Sequence, residues 1–175
     1  MQVRVKTSLA ELNAMNEAGF VAVCGPLFEH SPWIAARTWQ RRPFPTLQAL
    51  HEGLVATVQQ AARQEQLALI NAHPDLVGRL AREGRLSRNS AAEQAAAGLS
   101  KLSAGEIAVF ERCNREYREK FDLPFIICAR ENKKEAILAA FPVRLAHTRE
   151  QEIAAALAEI AKIARFRLLD AVTEG

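Results

Sequence analysis

Ser103-Ala104-Gly105-Glu106-Ile107-Ala108-Val109-Phe110, continuing to Tyr117 and Phe121, is the stretch that decides the fold class. Ser103 and Glu106 form a capping box. The hydroxyl accepts from a free backbone N–H of the first turn, and the carboxylate reaches back to the cap. Ile107, Phe110, Tyr117 and Phe121 then recur on one helical stripe. The same pattern repeats in both directions. Toward the N-terminus, Ser90 opens a helix that Gly98 closes or bends. Leu67, Leu69 and Ile70 make a short apolar piece that stops at His73-Pro74. A helical turn or two is expected over residues 76–83. Thr46 caps a long helix with Leu47, Leu50, Leu54, Val55 and Val58 at three- and four-residue steps. Ser31-Pro32-Trp33 places a proline at the first helical position, where its missing N–H costs nothing. Asn16 and the box Ser8-Leu9-Ala10-Glu11 start two more helices.

Toward the C-terminus, Leu123-Pro124-Phe125-Ile126-Ile127-Cys128-Ala129 breaks the pattern. It is apolar, β-rich and too isolated to make a sheet. It reads as a buried extended segment threaded between helices. Asn132, with Glu135 three residues on, opens the next helix. Thr148 opens the last, whose apolar positions are Ile153, Leu157, Ile160, Ile163, Phe166 and Leu169. No alternating strands, internal repeat or domain boundary is visible. The expectation is an all-α fold: one domain over residues 1–175, an irregular bundle of roughly eight helices with one short extended segment.

Bulk properties narrow the function. Hydrophobic residues make up 49% and charged residues 25%, which suits a globular protein rather than a disordered one. The net charge of +3 is small and its basic residues are spread out, so nucleic acid is not an expected partner. No run of roughly 18 apolar residues spans a bilayer, so no membrane association is expected. Cys24, Cys113 and Cys128 form no pair at metal or redox spacing, which points to free thiols in a reducing compartment. Residues 1–6 lack the apolar core of a signal peptide and Thr173-Glu174-Gly175 is no peroxisomal address. A cytoplasmic location is the expectation.

Few residues carry chemistry by pattern. Proline at 74 disfavours the α region for His73, so a helix ends there and the imidazole is placed to face a cavity. By itself the same ring serves as readily to satisfy helix-terminal carbonyls. Asp75 either orients that ring or starts the next turn. Ser90-x-x-Glu93 reads as another capping box, but Gln94 behind it adds an amide to the carboxylate. Such a pair suits a ligand with N–H and C=O groups side by side. Arg167 is either an inward clamp for an anion or carbonyl, or a surface arginine. His30, His51 and His147 fit surface or packing roles. Metal, nucleotide-phosphate and serine-nucleophile motifs are absent, so no metal is expected.

Six stretches taken together say more. They are Phe28-Glu29-His30-Ser31-Pro32-Trp33, Arg42-Pro43-Phe44 and Ala72-His73-Pro74-Asp75-Leu76, then Ser90-x-x-Glu93-Gln94-x-x-x-Gly98-Leu99, Pro124-Phe125-Ile126-Ile127-Cys128-Ala129-Arg130 and Arg167-Leu168. In this order and spacing, over nearly the whole chain, the sequence resembles the OHCU decarboxylase family, in its bacterial stand-alone form. The resemblance implies decarboxylation of 2-oxo-4-hydroxy-4-carboxy-5-ureidoimidazoline (OHCU) to (S)-allantoin and CO2 in urate breakdown, without a cofactor. It puts catalysis on His73 and Glu93. It puts substrate binding on Pro74, Ser90, Ala91, Ala92, Glu93, Gln94, Phe125, Ile126, Ile127, Cys128, Ala129 and Arg167. It also implies a homodimer. The competing expectation is a non-catalytic all-α ligand-binding or interaction module that uses the same polar residues as caps.

Overall fold

The computed structural model describes residues 6–78, 81 and 83–175. These residues form nine α-helices, one 3-10 turn and a single pair of two-residue strands. The all-α expectation holds. The chain divides into two compact units, one of residues 6–69 with Ala161–Gly175 and one of Ile70–Ile160. None of the described helices is long and apolar enough to cross a membrane.

In the first unit, β1 (Thr7–Ser8) leads into α1 (Leu9–Ala14), followed by α2 (Glu17–Cys24), the 3-10 turn Gly25–Leu27, α3 (Trp33–Trp39) and α4 (Leu47–Gln60). Ser8 caps α1 with the full reciprocal box, Asn16 caps α2 and Thr46 caps α4, as their sequences lead one to expect. Ser31 does not cap α3. Its hydroxyl instead donates to the Glu29 carbonyl at 3.0 Å, and Pro32 stands at the cap without a side-chain bond. The core is Leu12, Phe20, Ile34, Leu50 and Leu54, all removed from solvent. Phe20 stacks on Phe44, and Asn13 holds the Phe44 backbone by its N–H and C=O, each at 2.9 Å. β1 pairs in parallel with β2 (Val172–Thr173), Thr7 opposite Val172. Two residues of pairing contribute little alone, but they tie the start of the described chain to its last helix.

In the second unit, α5 (Arg63–Asn71) ends within it, and α6 (Arg88–Ala96), α7 (Ala104–Phe121), α8 (Lys134–Leu145) and most of α9 (Arg149–Ala171) belong to it. Helix α5 starts at Arg63, earlier than the apolar residues alone announce. Glu65 accepts from the Ala62 N–H at 3.1 Å and so caps a polar first turn. The helix expected over residues 76–83 includes positions outside the described residues. Ser103 caps α7 with the complete box, and Thr148 and Gln151 cap α9 reciprocally. Asn132 does not cap α8. Its amide turns back to the Cys128 carbonyl at 2.9 Å, and Lys133 occupies the cap. On α9, Leu168 is buried and Leu169 is 42% exposed, which corrects the expected stripe at its end.

The core of this unit is aromatic. Phe125 stacks on Phe141 at 3.8 Å between ring centres, and Tyr117 meets Phe125 edge-on at 5.2 Å. Residues 123–129 run through it without strand pairing, and all but Ile127 are buried.

Helix α6 stops where the sequence says, and the geometry explains why. Gly98 has φ +84°, its N–H reaches the Ala95 carbonyl at 3.0 Å, and the Leu99 N–H reaches the Gln94 carbonyl at 2.9 Å. This is the Schellman ending that favours glycine in the left-handed position. A side chain at Gly98 would meet nothing within 4 Å, so only backbone strain opposes one. Gly98→Ala is therefore expected to lower the unfolding free energy by about 1 kcal/mol. Urea denaturation followed by circular dichroism checks this.

Candidate active site

His73 lies just beyond α5. Its N–H closes on the Ile70 carbonyl at 3.1 Å, and only 7% of the residue is exposed. Pro74 follows and cannot continue the helix. The next three residues belong to no regular element, and each is held by a side chain from another helix. Asp75 takes Arg118 of α7, with Nε at 3.1 Å from both carboxylate oxygens and Nη2 at 2.9 Å from Oδ1. The Leu76 carbonyl accepts from Asn114 Nδ2 at 2.8 Å. The Val77 N–H donates to Gln94 Oε1 at 3.1 Å. Val77 has φ +55°, a left-handed position that a β-branched residue takes only when its surroundings impose it. Asp75 thus pairs with Arg118.

The Gln94 bond ties the histidine turn to α6. It also fixes the amide: Val77 offers a donor, so Oε1 must face it, and Nε2 is the end that can donate elsewhere. Helix α6 starts earlier than expected. Ser87 is its cap, accepting from the Ser90 N–H at 3.2 Å. Ser90 is therefore the third residue of the helix and buried, and Glu93 is a full turn inside it. The capping-box explanation of Ser90 and Glu93 is overturned. Ala91 and Ala92 are exposed on the same helix, and Lys133 Nζ caps its end at the Ala96 carbonyl, 2.7 Å away.

The segment 123–129 is anchored on two backbone groups. The Ile126 carbonyl accepts from Arg144 Nη1 at 2.8 Å, and the Cys128 N–H donates to Glu159 Oε2 at 2.7 Å. Arg144 also lies over the Phe125 ring, 4.8 Å from its centre. Its charge is met by Glu152, which is wholly buried. Arg144 Nε binds both Glu152 oxygens, at 3.0 and 2.7 Å, His147 Nδ1 donates to Oε1 at 2.6 Å, and Tyr117 donates to Oε2. Burial first, and the Glu152 carboxylate second, push the Tyr117 phenol well above its ordinary range. Burial also raises the thiols of Cys128 and Cys113, and pushes Cys24 up to about 12, so none is an activated nucleophile.

Arg167 belongs to the first unit. It is buried, whereas Arg165 is exposed, which excludes the surface reading for Arg167. Its Nη2 meets Glu29 Oε1 at 3.0 Å, and Nη1 points to the Leu27 carbonyl at 3.5 Å. Sequence reasoning missed Asn114, Arg118, Arg144, Glu152 and Glu159. Two of them left a trace: Asn114 interrupts the buried stripe of α7 between Phe110 and Tyr117, and Glu152 precedes the apolar run of α9 at a wholly buried position.

The model of the OHCU decarboxylase family matches residues 13–169 of this chain. The chain belongs to that family. Relatives within and around the family agree. The chain is 37% identical over 163 residues to the 2-oxo-4-hydroxy-4-carboxy-5-ureidoimidazoline decarboxylase of Halalkalicoccus jeotgali, spanning 93% of this chain and 90% of that one. It is 40% identical over 167 residues to the uric acid degradation bifunctional protein PucL of Bacillus subtilis, covering 95% of this chain but 33% of that longer protein. Among solved structures it resembles (S)-allantoin synthase, with a TM-score of 0.75 and 27% identity over 95% of this chain and 54% of that one.

The Glu152 cluster makes a direct prediction. Glu152→Ala strips the buried Arg144 cation of its partner, and the unfolding free energy is expected to fall by about 3–5 kcal/mol in urea denaturation. A loss under about 1 kcal/mol would show that the segment 123–129 is not anchored through this pair.

Proposed function

We propose that this chain is an OHCU decarboxylase, a carboxy-lyase that converts OHCU to (S)-allantoin and CO2 in urate degradation. One observation carries the reading. The Val77–Gln94 bond ties the turn bearing His73 to the helix bearing Glu93 and Gln94, in a chain that belongs to a family named for this reaction. The family match also runs across both units, which supports treating residues 1–175 as one decarboxylase-like domain.

The chemistry suits these residue types. The carbon that loses CO2 also bears a hydroxyl, and the neighbouring C=N accepts the electron pair left behind. No separate electron sink is required by that step. The hydroxyl proton is given up as CO2 departs, so that this carbon becomes the ring carbonyl. The former C=N nitrogen and the adjacent carbon each take up a proton, the carbon on one face to set the S configuration. The protein's work is to orient the carboxylate and manage these protons. In this reading His73 takes the hydroxyl proton as CO2 departs. Glu93 accepts from ureido or ring N–H groups, and Gln94 Nε2 donates to a carbonyl. Pro74, Ser90, Ala91 and Ala92, with Phe125, Ile126, Ile127, Cys128 and Ala129, complete the substrate contacts.

Arg167 is assigned to a substrate carbonyl rather than the carboxylate. Its charge is already met by Glu29. A tight grip on the departing carboxylate would also favour the ground state over the transition state. The family resemblance further supports a homodimer, and the three free cysteines suit a cytoplasmic location.

The test uses fresh OHCU, generated from urate by urate oxidase and hydroxyisourate hydrolase, and follows the circular dichroism of the product. The wild-type chain is expected to give (S)-allantoin rapidly, against the slow racemic product of spontaneous decay. His73→Ala is expected to lower kcat by roughly 10²- to 10⁴-fold while remaining folded. A rate within a few-fold of wild type would remove His73 from the mechanism.

A further inference from the structure

His73 opens a turn, residues 75–77 of which belong to no helix or strand, so side chains from other elements fix the backbone that carries it. Asn114 and Arg118 are four residues apart on α7 and share a face. They grip two consecutive residues beyond Pro74: Asn114 Nδ2 on the Leu76 carbonyl at 2.8 Å, and Arg118 on the Asp75 carboxylate. Proline locks its own φ and restricts the backbone of the residue before it, so a grip on residues 75 and 76 limits where the His73 backbone can sit.

Asn114 is an odd choice for stability alone. It is 7% exposed and sits on the apolar stripe of α7. Its Oδ1 is buried with no hydrogen-bond partner among the described residues. An unpaired buried oxygen is destabilising; a leucine would remove this one but leave the Leu76 carbonyl unpaired, so the asparagine adds little net stability. What asparagine offers and leucine cannot is the bond to Leu76.

We propose that Asn114, backed by the Arg118–Asp75 pair, is a positioning residue that sets the direction of the His73 imidazole. The catalytic consequence rests on the decarboxylase reading. Asn114 holds the turn through Leu76, as Gln94 holds it through Val77. Loss of the grip lets the turn shift and carries His73 with it, and a displacement near 1 Å can cost on the order of a hundredfold in rate.

The experiment compares the wild-type chain with Asn114→Leu, Arg118→Gln and Arg118→Lys. Three readouts are taken: thermal midpoint, kcat and KM with OHCU, and the imidazole NMR resonances of the four histidines, with His73 assigned by His73→Ala. Asn114→Leu is expected to stay within a few degrees of the wild-type thermal midpoint, because it removes the unpaired Asn114 Oδ1 but leaves the Leu76 carbonyl without its donor. Its kcat falls by roughly ten- to a hundredfold with a smaller change in KM, and the His73 resonances move while those of His51 and His147 stay. Arg118 is 44% exposed in its side chain, so its variants fold even if the core substitution does not. Arg118→Gln shifts His73 in the same sense, and Arg118→Lys restores most of it.

Unmoved His73 resonances with wild-type kcat overturn the proposal. So does a fall in thermal midpoint with all histidines shifting together, the mark of a merely structural residue. If the wild-type chain yields no (S)-allantoin, the decarboxylase reading falls. The His73 resonances then decide the positioning alone: moved, it stands, and unmoved, it fails.

Discussion

A proline after His73 and a left-handed residue at Val77 leave residues 75–77 with polar groups that no helix or strand takes up. Buried backbone groups must be paired, and here the partners are side chains of two helices. Gln94 meets the Val77 N–H and Asn114 meets the Leu76 carbonyl, while Arg118 meets the Asp75 side chain. The rest of the second unit can be understood as what makes those partners available. Ser103 starts α7 where Asn114 and Arg118 will face the turn. Ser87 and Gly98 bound α6 so that Gln94 lies on its buried side.

The same economy appears around residues 123–129. An extended, unpaired chain in an aromatic core is costly unless its carbonyls and N–H groups find charges that are themselves met by an opposite charge. Arg144 reaches Ile126 because Glu152 neutralises it, and Glu152 is tolerated at full burial because Tyr117, His147 and Arg144 surround it. Buried ion clusters seldom add stability over a well-packed apolar alternative. Their value here is in fixing the path of a segment that has no secondary structure to fix it.

Helix existence was readable from the chain wherever the cap was local. Ser8, Asn16, Thr46, Ser103 and Thr148 each satisfy a backbone N–H within three residues, so short-range pattern is enough. The failures share a cause. Ser31 and Asn132 have competing carbonyls nearby, at Glu29 and Cys128, and Ser90 is pre-empted by Ser87 three residues earlier. The pairing of Thr7 with Val172 joins residues near opposite ends of the chain, and two residues carry no periodicity to detect. Of the candidate site, His73 was visible because proline marks the helix end. Asn114 and Glu152 were not, because a polar residue on a buried stripe is recognised only once the stripe is known to be buried.

Under the proposed function, the turn after His73 is held so that its imidazole and the Gln94 amide address one ligand. A crystal structure of the chain with bound (S)-allantoin tests this most directly. The product is expected against the His73 imidazole, with one of its carbonyl oxygens within hydrogen-bonding distance of Gln94 Nε2 and Oε1 still on the Val77 N–H. Product bound away from residues 73–77, or bound with the Val77–Gln94 bond broken, would contradict it.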